Sequence, residues 1–216
     1  MVRLFSICVA LTCVSFPAHT QQTVQVGGTQ AILHAPAGAR ASAVLVPGRG
    51  GITPNDPLLR NRAALNARGI TTLTVPHGTV LGEAVQYMRK VKEPVALIGN
   101  SQGVSFAARG VGNGVRPDTL VLISGALMGG GKAPAQTMLK SPSVLPPTLI
   151  LHNRNDSCNL TPPSGVEPFV KWSGGRARVT WIGGSGGGDP CGPNSAHGFA
   201  GADGDVVNAI AGFVLR

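Results

Sequence analysis

The chain has 216 residues, with 18 Lys and Arg against nine Asp and Glu, a formal charge of +9, and an aromatic content of only 4%. The basic residues are scattered and do not alternate with aromatics, which argues against a nucleic-acid partner; a shortage of acids explains the charge. The length fits one domain, and no apolar run is long enough for an integral membrane segment.

In chain order, Arg3 precedes an apolar run over residues 4–16 and then Pro17-Ala18-His19-Thr20. This is the pattern of a secretory signal peptide over residues 1–20, leaving residues 21–216 as one domain with a secreted or periplasmic location. Cys8 and Cys13 fall in the leader. Cys158 and Cys191 remain, in a compartment that permits disulfides.

Residues 23–33 read as an edge hairpin turning on Gly27-Gly28. Residues 42–46, SAVLV, form a buried strand that runs into the loop Pro47-Gly48-Arg49-Gly50-Gly51. Residues 55–68 have helical spacing, with Leu58, Leu59, Ala63 and Leu65 on one face and Gly69 as the stop. A strand over 70–75 is followed by a helix over 79–91, with Leu81, Ala84, Val85 and Met88 inward. Strands are expected at 95–98, 119–124, 148–152 and 178–182, and helices at 104–109, 168–172 and 203–215. The last carries an inward stripe of Val206, Val207, Ile210 and Val214. Between residues 125 and 146 there is room for no large cap. Alternating strands and helices give an α/β fold, with a mostly parallel sheet covered on both faces. Such sheets carry their sites at the C-terminal strand ends.

One stretch stands out. Gly99-Asn100-Ser101-Gln102-Gly103 is a G-x-S-x-G sequence between a predicted strand and a predicted helix. In such a turn the serine is strained and its hydroxyl exposed, while side chains in place of the two glycines would strike the neighbouring strand or helix. A serine hydroxyl needs a base, and the natural base is a histidine oriented by a carboxylate. His197 lies between the last strand and the last helix. His34 sits near the edge hairpin, His77 on a possible pocket rim, and His152 at a strand end in a structural role. Asp156 follows the fifth predicted strand of the alternating set, and Asp189, in the glycine-rich loop, is its rival. The order Ser101, Asp156, His197 is that of α/β-hydrolases.

With these motifs the chain resembles the small α/β-hydrolases of the dienelactone hydrolase-like and esterase group. The likeness spans nearly all of residues 21–216 and rests on the Pro47–Gly51 loop, the Ser101 pentapeptide, Asp156 and His197-Gly198-Phe199. It implies the α/β-hydrolase fold and a serine hydrolase cleaving a carboxylic ester, small or polymeric, through an acyl-enzyme. It also implies an oxyanion hole made of the backbone N–H groups of Gln102 and Arg49. Two departures matter. Pro47 stands where many relatives carry histidine, and serine stands where dienelactone hydrolases proper are expected to use cysteine. Peptidase or amidase activity with the same residues, and a non-catalytic binding protein on the same scaffold, remain as alternatives. No cofactor is called for, and no His, Cys and Asp cluster has metal-ligand spacing. If Asp156 meets His197, their loops run side by side, and Cys158 and Cys191 come within bridging distance.

Overall fold

The computed structural model describes residues 20–216. The predicted leader lies outside them, except for Thr20, which is the first residue of a strand. A hairpin of β1 (Thr20–Val26) and β2 (Thr29–Ala35) turns on Gly27 and Gly28, both at positive φ (59° and 76°). A two-residue turn matched to strand twist requires that conformation at both central positions. Six further strands follow: β3 (Ala41–Val46), β4 (Ile70–Thr74), β5 (Val95–Asn100), β6 (Thr119–Ile123), β7 (Thr148–His152) and β8 (Ala177–Trp181). They form one open sheet in the order β1-β2-β4-β3-β5-β6-β7-β8. β2 runs antiparallel to β1 and β4, and every pairing from β4 to β8 is parallel.

The central strands are buried along their whole length, and successive side chains divide between two cores. On one face Val44, Leu97 and Leu120 pack under α3 (Leu81–Val91), α4 (Gln102–Gly112), α5 (Ala135–Leu139) and α6 (Val166–Trp172). On the other, Leu45, Ile98 and Val121 pack under α1 (Pro57–Arg60), α2 (Arg62–Ala67) and α7 (Asp203–Val214). The predicted inward stripe of α7 is buried, as are Ala84, Val85 and Met88 of α3; Leu81 is half-buried. Among the described residues no helix is long and apolar enough to cross a membrane.

One expectation differs from the structure. The helix predicted over 55–68 is the pair α1 and α2, parted at Asn61 (φ −89°, ψ −3°). The Asn61 side-chain amide donates to the Pro57 carbonyl at 2.8 Å and to Asp203 Oδ1 at 2.7 Å, so the break is held from within α1 and from α7. Ala63, assigned to the buried face, is exposed as a result. The stretch 125–146 carries no large cap, only α5, which packs on α4, and a short 3₁₀ turn over Pro142–Val144.

Candidate active site

β5 ends at Asn100 and α4 begins at Gln102, so Ser101 alone makes the turn, at φ 51° and ψ −113°. A non-glycine residue there is strained, and such strain persists only where the surroundings hold it. The Ser101 N–H donates to the Ile123 carbonyl at 2.7 Å, fastening the turn to β6. The glycines allow the close approach: a Cβ on Gly99 would meet the Gly103 carbonyl oxygen at 2.5 Å, and one on Gly103 would collide with the Val46 carbonyl oxygen of β3.

The strand ends bring Ser101, His197 and Asp156 into one line. His197 Nε2 lies 3.0 Å from Ser101 Oγ, and Nδ1 lies 2.9 Å from Asp156 Oδ2. With Nδ1 donating to the carboxylate, Nε2 faces the serine as an acceptor. The Thr161 hydroxyl stands beside this pair, 3.1 Å from Nδ1 and donating to Asp156 Oδ2 at 3.4 Å. Asp156 Oδ1 accepts the Cys158 N–H at 2.9 Å. His197 and Asp156 are buried, while Ser101 is half-buried and reachable from a cavity of about 700 Å³. The rival Asp189 is exposed, accepts the Cys191 N–H and does not meet His197.

The loop carrying His197 is held from several sides. Arg60 donates to the Pro193 carbonyl at 2.9 Å, the Gly198 carbonyl at 2.6 Å and Asp203 Oδ1 at 2.8 Å. Asn153 Nδ2 reaches the carbonyls of Gly183, Gly184 and Ala196, and Ser124 Oγ donates to the His197 carbonyl at 2.8 Å. Cys158 and Cys191 are joined by a disulfide with Cα atoms 4.6 Å apart. The bridge is therefore one restraint on this loop among several.

Arg49 and Gln102 line the same cavity. As the first residue of α4, Gln102 has an N–H with no partner inside the helix. The Arg49 N–H donates to nothing among the described residues, whereas the neighbouring Gly48 N–H is taken by Asp56 Oδ2 at 2.8 Å.

The other described histidines stand apart from Ser101, and His19 lies outside the described residues. His34 Nε2 pairs with Gln21 on the hairpin. His77 belongs to a second cavity, not to the rim of the first; it stacks on Phe106 with centroids 4.5 Å apart and binds the Pro47 carbonyl. His152 is fully buried behind the site, and its Nδ1 accepts the Asn153 N–H. Burial pushes its pKa below the ordinary value of 6.5 against the opposing pulls of the Asn153 backbone and of Asp156.

Three supporting residues escape the sequence reading. Asp56 carries the cap-then-proline signature of a helix start, with Pro57 after it, so its capping role had a signal. Arg60 and Thr161 had none, because their partners lie far away in sequence.

No family model and no curated protein matches this chain. Solved structures do. TT1662 of Thermus thermophilus is similar at 14% identity and TM-score 0.69, over 92% of this chain and 99% of that one. A dienelactone hydrolase from Anabaena variabilis is similar at 16% and 0.68, over 92% and 97%. Est1E from Butyrivibrio proteoclasticus is similar at 14% and 0.65, over 90% and 97%. Identities this low speak to architecture alone, and the mostly parallel eight-stranded sheet with a core on each face agrees with it: this chain has the α/β-hydrolase fold.

Proposed function

We propose that this protein is an exported serine hydrolase that cleaves carboxylic esters through an acyl-enzyme. The observation that carries the reading is Ser101 Oγ, raised on a strained strand-to-helix turn and 3.0 Å from His197 Nε2. As Oγ attacks the ester carbonyl carbon, its proton passes to Nε2, and the imidazolium is stabilised by Asp156. The oxyanion is met by the N–H groups of Arg49 and Gln102. One such donor is worth about 3–4 kcal/mol in the transition state. The protonated Nε2 then gives its proton to the departing alcohol oxygen, leaving the acyl group on Oγ. Water, deprotonated by Nε2, attacks that ester, and collapse frees the acid and restores Ser101.

The fold neighbours include proteins described as a dienelactone hydrolase, an esterase domain and a carboxylesterase, which supports ester chemistry on this scaffold. Export is supported by the leader pattern of residues 1–20 and by the Cys158–Cys191 bridge. The test is hydrolysis of short-chain 4-nitrophenyl esters. The parent protein turns them over, and Ser101→Ala loses about a thousandfold or more. Equal rates for the two proteins would refute the reading.

A further inference from the structure

α4 starts at the serine turn and runs along the cavity. Ser101, Ser105 and Arg109 are four residues apart, so successive turns present them on one helix face, and all three line the cavity. At the helical rise, Arg109 stands about 12 Å along the axis from Ser101. The intervening wall is largely apolar, with Phe106, Ala126, Ala133 and Leu160. Ser105 Oγ donates to the Ala133 carbonyl at 2.6 Å, which brings Lys132 beside the same stretch of helix.

The charges of this wall are lopsided. Arg49, Arg109 and Lys132 line it, and none has a hydrogen bond or ion pair from its side chain among the described residues. Several other arginines are engaged: Arg60 and Arg89 with carboxylates, Arg68 with Asn208. Two carboxylates also line the cavity. Asp56 is already saturated by the N–H groups of Gly48, Leu58, Leu59 and Asn100. Asp189 belongs to the disulfide loop on the His197 side and accepts the Cys191 N–H. An apolar track from the nucleophile toward uncommitted cations is the complement of an acyl chain ending in an anion.

We infer that the site takes esters whose acyl part carries a carboxylate several carbons from the scissile carbonyl, with Arg109 and Lys132 binding that carboxylate. The inference rests on the esterase reading of Ser101 and adds the chemical class of its substrate. Arg109 and Lys132 are exposed at the far end of the track, so the pairing is open to screening by salt.

The experiment compares mono-4-nitrophenyl adipate with 4-nitrophenyl hexanoate, which share a leaving group and a chain length and differ in the terminal carboxylate. The parent protein favours the adipate in kcat/KM by about fivefold or more at low salt, and the preference shrinks as salt is added. In a protein with both Arg109→Gln and Lys132→Gln the adipate-to-hexanoate ratio falls toward one, and Arg109→Lys keeps part of it. Lys90→Gln, which removes an exposed charge on α3 outside the cavity, leaves the ratio unchanged and so separates a local effect from the overall charge of +9. Parity in the parent, or a preference that survives the double substitution, overturns the inference while leaving the esterase reading intact. If neither ester is turned over, the esterase reading fails by itself, and calorimetric titration of the parent with adipate decides the anion site. Saturable binding that the double substitution removes supports it, and no binding overturns it.

Discussion

The Asn100 side-chain amide donates to Asp56 Oδ2 over 3.0 Å, one residue before Ser101. The same oxygen accepts the Gly48 N–H, and Oδ1 accepts those of Leu58 and Leu59. One buried carboxylate thus ties the strand end carrying the serine to the loop carrying Arg49. An amide at this position has a single acceptor oxygen, so Asp56→Asn strands one pair of donors. It is expected to cost about 1–3 kcal/mol of stability. By shifting the Arg49 N–H relative to Ser101 it lowers kcat by about ten- to a hundredfold with little change in KM. Steady-state kinetics and chemical denaturation of the same preparation check this; a stability loss with kcat unchanged would leave Asp56 as a helix cap only.

Arg60 serves the other side of the site, with its three nitrogens donating to Pro193, Gly198 and Asp203. Lysine keeps the charge and loses the planar fork. Arg60→Lys is expected to lower kcat while leaving labelling of Ser101 by a small reactive phosphonate detectable, because the His197 loop shifts and the serine turn does not. A kcat equal to that of the parent would show that the loop is held without it.

The disulfide closes a loop across a sequence separation of 33. In the chain-entropy model such a closure contributes about 3–4 kcal/mol, less any native strain. Replacing both cysteines by serine is therefore expected to lower the melting temperature clearly. Turnover at a temperature where the variant is still folded falls more modestly, since Arg60, Asn153 and Ser124 continue to hold the His197 loop. Loss of nearly all activity in a folded variant would mean that the bridge outweighs those hydrogen bonds.

His152 gives stability a pH dependence with a definite sign. Its folded pKa lies below 6.5 because burial penalises the charged ring. Below that ordinary value the unfolded chain binds a proton that the folded chain refuses. The contribution is complete above about pH 6.5 and is lost as pH falls toward the folded value. His152→Gln should flatten this limb of the stability curve. Denaturation midpoints at pH 5, 6 and 7.5 test it, and an unchanged slope in the variant would assign the limb to another group.

Most of the sheet was legible in the sequence because several buried strands contain short continuous apolar runs near turn residues, as in 95–98 and 120–123, while β4 (ITTLT) is buried with threonines in it. Ser101, Asp156 and His197 could be picked out for a related reason: each follows a strand, and parallel strands deliver such residues to one edge. What stayed hidden was long-range. The break at Asn61 is held by Asp203, 142 residues away, while the local helical period continues through it. α5 is five residues long and depends on its contact with α4, so its propensity carries little signal. Arg60 and Thr161 look like ordinary polar residues until the fold brings carbonyls and the His197 ring within reach.

The central claim is that Ser101 is a nucleophile activated by His197, and covalent capture addresses it most directly. Folded protein treated with a fluorophosphonate is digested and its adduct located by mass spectrometry, alongside Ser101→Ala and His197→Ala. The account predicts one phosphonyl group on Ser101, none on Ser101→Ala, and labelling of His197→Ala slowed by about a hundredfold or more, the scale of general-base catalysis. Folded parent protein that stays unlabelled, or labelling elsewhere that survives Ser101→Ala, would contradict it.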